Sequence, residues 1–265
     1  MRVAQRPQPQ AAVFDFDKLV AEPGRRAMME LRGDPDAPRR RGPKRKPTEK
    51  IEFAKGMDYW TRALPALAAA YDHTCAYACV RLDAFLDGGT VDHWKPKSRC
   101  PDLAYRWDNF RYASRTMNTR KGDDEGLCDP FEVRHEWVVL NLVTFALSPA
   151  PAPGLDEATR RWVQYTLDVL QLDRQPMRAR RLAAWNLYES APSPYTWWLM
   201  ARDCPLVVRR YVRQRGEPPP EALPLYTSPQ PAAQTAPHLD AEPSPLPPSG
   251  PLPSVPQGEA GGADC

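Results

Sequence analysis

No stretch of this chain is apolar for long enough to cross a bilayer. Even Trp137 to Leu147 falls well short of the roughly 20 residues a spanning helix needs, and Asn141 interrupts it. The N-terminus carries no secretory apolar segment. The six cysteines (Cys75, Cys79, Cys100, Cys128, Cys204, Cys265) are too irregularly spaced to frame a disulfide-stapled domain. A soluble chain with no membrane partner, in a reduced and cytoplasmic setting, is therefore expected. Nor does one sign of charge dominate: 36 Lys and Arg against 33 Asp and Glu leave a formal net charge of +3 and a pI near 8.5. That balance alone does not require a polyanionic partner.

Proline, by contrast, is abundant. The 265 residues include 32 Pro, and the mean hydropathy is -0.61, so part of the chain is expected to lie outside any packed core. Residues 1–48 are rich in Pro, Arg and Gln with little apolar periodicity, and residues 217–265 hold 14 of the 32 Pro. Both ends read as mainly disordered. The expected organisation is a disordered basic arm over 1–48, a core with a preceding helix over 49–130, a strand plus helices over 131–215, and a disordered Pro-rich tail over 216–265. Within the arm, Arg39, Arg40, Arg41, Lys44, Arg45 and Lys46 cluster tightly. Such an arm would supply sequence-independent affinity for nucleic acid through counterion release; a solvated basic linker is the competing reading.

The chemistry concentrates in Val91-Asp92-His93-Trp94-Lys95-Pro96-Lys97-Ser98, Trp107-Asp108-Asn109-Phe110 and Met117-Asn118-Thr119-Arg120-Lys121. A base, a hard-metal carboxylate and amide oxygens gather within one short segment, a set suited to cutting phosphodiesters. Gly88-Gly89-Thr90-Val91 predicts a turn into a strand ending at His93, and the Pro- and charge-bearing stretch from Trp94 to Arg106 predicts a loop. Asn109 to Ala113 alternates as a second strand would, and Asn118 to Asp123 predicts a short helix with an Asn cap. Strand, loop, strand and helix then follow in order.

These residues resemble the HNH endonuclease family. The resemblance spans roughly residues 75 to 123 and includes Cys75-Ala76-Tyr77, the Pro-Lys-Ser after the His, and Asn118-x-x-Lys121. It implies an α+β fold in which a small ββα-metal core is embedded in a mainly helical domain. It makes His93 the general base that activates water, Asp92 and Asn118 the ligands of one Mg²⁺ (or Mn²⁺), and Asn109 the residue that hydrogen-bonds across the loop and holds the His. Such a cation is commonly held by one or two protein groups plus phosphate oxygens and water. Lys95, Lys97, Arg120 and Lys121, together with the basic arm, are the expected contacts to the substrate. DNA is the expected substrate, with RNA as the alternative.

Many HNH proteins brace this core with zinc on two Cys-x-x-Cys pairs. Here Cys79 falls one place late and the second pair reads Ser114-Arg115-Thr116-Met117, so packing by Tyr77, Trp94, Trp107 and Met117 is expected instead of structural zinc. A rearranged site from Cys75, Cys79, Cys100 and Cys128 is the alternative. The whole layout also resembles HNH proteins that accompany an ATPase in bacterial anti-phage systems of the retron and Septu kind, which implies a partner ATPase subunit and a role in antiviral defence. The competing function is a catalytically inactive HNH-fold subunit that binds nucleic acid or docks a partner. Outside the core, an apolar stripe of Trp60, Leu64, Leu67 and Tyr71 predicts a helix over 55–72 that Pro65 starts or kinks. Asp156 caps a second helix, Arg174 to Ser190 forms a third, and Tyr195 to Arg213 follows them. The run from Asp129-Pro130-Phe131 to Leu147 reads as a turn followed by an apolar strand. His135 stays outside the site, and Arg178, Arg180 and Arg181 are candidate nucleic-acid contacts or a solvated face.

Overall fold

The computed structural model describes residues 14–34, 36, 53, 55–83 and 88–219. The cluster Arg39 to Lys46 and the Pro-rich end beyond residue 219 lie outside the described residues. The class is mixed α+β.

Within the span 1–48, expected to be mainly disordered, residues 14–34 are instead ordered. A π-helical turn at Asp17–Ala21 runs into α1 (Glu22–Arg32), which Gly33 closes in the left-handed conformation at φ 69°. Val20, Gly24, Ala27 and Met28 recur at i, i+4, i+7 and i+8, and all four are buried. A methyl group on Gly24 would overlap the Tyr105 ring, so α1 lies against that side chain. Phe16 meets Trp107 and Phe110 edge-on, and Arg32 pairs with Asp102. Averaging over a Pro- and Arg-rich segment hides this one apolar face.

A 3-10 turn at Tyr59–Ala63 then leads into α2 (Leu64–Ala70). Pro65 sits in its first turn, where a missing N–H leaves no helical bond unmade. A knuckle follows, closed by the Thr74–Arg81 bridge and by Cys75 N–H donating to the Val80 carbonyl at 2.9 Å. Ala76 N–H reaches the Tyr112 carbonyl at 2.8 Å and joins the knuckle to the next sheet.

That sheet pairs β1 (Gly89–His93) with β2 (Phe110–Ser114) antiparallel, with Asp92 opposite Arg111 and His93 opposite Phe110. α3 (Arg115–Lys121) follows at once and packs on both strands. Its cap is Ser114, whose hydroxyl accepts from Met117 N–H at 3.2 Å. The helix therefore begins one turn before the predicted Asn118 cap, and Asn118 lies inside it. A helical Asn118 presents its side chain to the strands instead of closing a helix end.

The run to Leu147 holds two strands in place of the predicted one, β3 (Val138–Leu140) and β4 (Leu147–Pro149), paired antiparallel. Asn141 turns the chain between them, its Oδ1 accepting from Val143 N–H at 2.8 Å and Thr144 N–H at 2.9 Å. α4 (Glu157–Val169) is capped by Asp156, as its sequence predicts, and is followed by α5 (Gln175–Ser190), α6 (Pro194–Asp203) and α7 (Pro205–Arg215). The arginines of α5 are structural. Arg181 is buried and donates to the Phe145 carbonyl at 2.6 Å, Arg178 pairs with Asp173, and Arg180 reaches the Arg81 carbonyl. No helix among the described residues is long and apolar enough to cross a membrane.

Candidate active site

Alternation along β1 sends Asp92 and His93 to opposite faces of the hairpin. The Asp92 face is covered by α3. There Asp92 is 2% exposed; its Oδ2 accepts from the Tyr77 hydroxyl at 2.5 Å and its Oδ1 lies 3.4 Å from Lys121 Nζ. Burial raises the Asp92 carboxyl above its usual range, opposed by the Lys121 ammonium, the Tyr77 and Lys121 hydrogen bonds and the Arg111 guanidinium. Lys121 also donates to the His93 carbonyl at 2.7 Å. One turn earlier on α3, Asn118 Nδ2 donates to Thr90 Oγ1 at 3.1 Å. The 118/121 spacing of a helix thus meets the 90/92 spacing of a strand.

Arg111 shares this face. Its guanidinium makes a two-pronged pair with Asp129, Nε at 3.1 Å and Nη2 at 2.5 Å, and donates through Nη1 to the Asp108 and Phe110 carbonyls. Two buried acids, Asp92 and Asp129, are therefore matched by two buried bases, Lys121 and Arg111.

His93 lies on the other face, 6% exposed and enclosed edge-on by Trp60 at 5.1 Å and Phe110 at 5.4 Å between ring centres. Its Nε2 is 2.9 Å from the Ala104 carbonyl. A carbonyl only accepts, so Nε2 carries the proton and Nδ1 the lone pair. Burial depresses the ring's pKa to about 4; the Ala104 hydrogen bond opposes this and the Lys97 and Lys121 charges reinforce it. At neutral pH the ring is an uncharged imidazole.

The loop that carries Ala104 is fastened by Asn109. Its Oδ1 accepts from Lys95 N–H at 2.7 Å, and its Nδ2 donates to the Lys95 and Leu103 carbonyls at 3.0 and 3.1 Å. One amide thereby ties both ends of the loop and fixes the carbonyl that sets the His93 tautomer.

The basic residues divide. Lys97 Nζ stands 5.3 Å from the Trp60 ring centre, beside His93, and Lys95 lies 3.8 Å from Glu125. Arg120 donates to the Leu170 carbonyl at 3.0 Å. Lys121, expected to meet substrate, is 2% exposed and is the counter-ion of Asp92; in this arrangement it does not reach a phosphate. The sequence reading missed Tyr77, Arg111, Asp129 and the Ala104 carbonyl as partners. Strand register links Arg111 to Asp92, but the other three are set by tertiary packing.

The groups expected to hold Mg²⁺ or Mn²⁺ do not fit a cation as placed. Both Asp92 oxygens are engaged, one of them with an ammonium, and Asn118 faces Thr90. Among the described residues no three His, Cys, Asp or Glu side chains converge as metal ligands. No protein-family model matches the chain, and no curated protein matches it.

Proposed function

We propose that the protein is an HNH-type endonuclease that hydrolyses phosphodiester bonds in DNA with His93 as general base. One observation supports this above the others: β1, β2 and α3 bring an uncharged, backbone-oriented His93, the loop-fastening Asn109, Asp92 and Asn118 into one strand–strand–helix unit. In that role His93 Nδ1 takes the proton from the attacking water. The depressed basicity keeps the ring in its free-base form, and a phosphate beside Lys97 offsets part of the depression. Since Asp92 and Asn118 do not fit a cation as placed, no step is assigned to a metal. Whether Mg²⁺ or Mn²⁺ displaces Lys121 from Asp92 is read from the cation dependence of cleavage.

A second reading, an inactive HNH-fold nucleic-acid-binding subunit, is favoured by the Asp92–Lys121 contact. The test is cleavage of supercoiled plasmid and of RNA with Mg²⁺, Mn²⁺ or EDTA, by wild type and His93→Ala. Wild type should cut, and His93→Ala should lose about 10² to 10⁴ in rate, the usual worth of a general base, with its circular dichroism retained. Cleavage by His93→Ala within about tenfold of wild type would falsify the base assignment. Folded wild type that binds DNA yet cuts under no condition establishes the second reading.

A further inference from the structure

A cavity of about 250 Å³ lies between α7 and the segment from Val133 to Leu140, and it shares no residue with the His93 site. On α7, Leu206, Arg209, Arg210 and Arg213 fall at i, i+3, i+4 and i+7, so one helix face presents three guanidiniums to the cavity. Arg134 and His135 line the opposite side. Arg209, Arg210 and Arg213 make no ion pair among the described residues. The one lining acid, Glu136, is held by His135 Nδ1 at 3.1 Å.

Like charges three and four residues apart repel, and no ion pair among the described residues relieves them here. Arg210 adds a second, independent sign: its Nε is buried with no hydrogen-bond partner. A buried donor on a cation without an acceptor marks a position where an oxygen is wanted. Val138 and Leu206 supply an apolar wall beside the charged one.

We propose that this cavity is a binding site for a small phosphate-bearing ligand. A monocarboxylate would bring a single charge and two oxygens to three guanidiniums. A phosphate brings about -2 and three acceptor oxygens, and Arg forks grip it bidentately. The cavity, at about 250 Å³, is small beside the roughly 300–1,000 Å³ of drug-sized sites. It suits a phosphate or diphosphate with a short apolar portion against Val138 and Leu206. His135 reports on occupancy. Burial lowers its pKa, and of the charges facing it Glu136 raises that value while Arg213 and Arg209 lower it. An anion on the two arginines cancels their effect, so the His135 pKa rises on binding and binding tightens as pH falls through it.

The experiment is calorimetric titration of the full chain with inorganic phosphate, pyrophosphate, ADP and a short DNA duplex. Wild type, Arg213→Ala and the double variant Arg209→Ala/Arg213→Ala are compared, with His135 followed by NMR. Pyrophosphate or ADP should bind one per chain, weaken at least tenfold in the double variant and about threefold in Arg213→Ala, and raise the His135 pKa. Binding unchanged in both variants, or no binding of any small phosphate, overturns the proposal. Duplex binding without pyrophosphate or ADP binding also overturns it, and assigns the arginines to a nucleic-acid surface. Arg213 is exposed, so its single variant keeps the test valid if the double variant misfolds. The outcome is independent of whether the protein cuts DNA.

Discussion

His93 shows how far a residue's sequence neighbourhood foretells its chemistry. The order Asp92-His93, Asn109, Asn118 was legible because strand and helix periods place those positions around one unit. The buried state of the imidazole was not, because Trp60, Ala104 and Phe110 reach it from three separate stretches of chain. That burial has a measurable consequence. The folded pKa is about 4 against an ordinary 6.5, so between those values the unfolded chain binds a proton that the folded chain refuses. The stability from keeping the ring neutral is complete above about pH 6.5 and is lost as pH falls toward 4, on the order of 3 kcal/mol at about 1.4 kcal/mol per pH unit. Asp92, with a raised carboxyl pKa, acts in the opposite sense, since its protonated form favours the folded state as pH falls. Comparing wild type with His93→Gln isolates the imidazole. Urea unfolding at pH 7, 5.5 and 4.5 should show the variant losing less stability on acidification, and parallel curves would count against a neutral buried ring.

At the level of elements, the hairpin and α3 depend on charges hidden beneath the helix. The strand over Asn109 to Ala113 was legible from its alternating aromatics, with the observed strand shifted by one residue to Phe110–Ser114. The helix start was misread because Ser114 and Asn118 are both good capping residues, and only packing against Thr90 decides that Asn118 belongs inside. Arg111 is 1% exposed and paired with an equally buried Asp129. Truncating one partner of such a pair strands the other charge and typically costs about 3–5 kcal/mol, whereas replacing both with apolar groups is often neutral. Arg111→Ala should therefore lower the unfolding free energy by that amount, and Arg111→Met with Asp129→Leu should recover most of it. Equal losses in the single and double variants, measured by denaturant unfolding, would mean that the guanidinium's bonds to the Asp108 and Phe110 carbonyls matter more than the ion pair.

For the whole molecule, the mixed α+β class was legible from the alternation of strand-like and helix-like patterns; α4 follows its apolar periodicity, burying Leu167 and its C-cap Leu170, whereas α5 leaves Leu187, expected on its buried side, exposed. The docking of α1 was not legible, because four small or medium residues on one face are diluted by Pro and Arg around them. The two parts of the first 48 residues should therefore behave differently. Replacing Arg39, Arg40, Arg41, Lys44, Arg45 and Lys46 by Gln, in a His93→Ala background, should leave thermal stability unchanged. It should flatten the slope of log DNA affinity against log salt by about four to five, if those charges neutralise roughly four to six phosphates at about 0.9 each. An unaltered slope would remove the cluster from DNA binding. Deleting residues 14–34 should instead destabilise the fold, since Val20 and Met28 alone bury side chains worth about 1.5–3 kcal/mol each.

The Arg32–Asp102 pair joins positions 70 residues apart, and the ring that Phe16 abuts, Phe110, is further still along the chain. During synthesis α1 leaves the ribosome early, but the surface that covers it does not exist until the second strand has followed. At roughly 5–20 residues per second, that delay is on the order of 4 to 16 s. α1 is thus made well before it is buried, and in the interval its apolar face is open to chaperones and to other nascent chains.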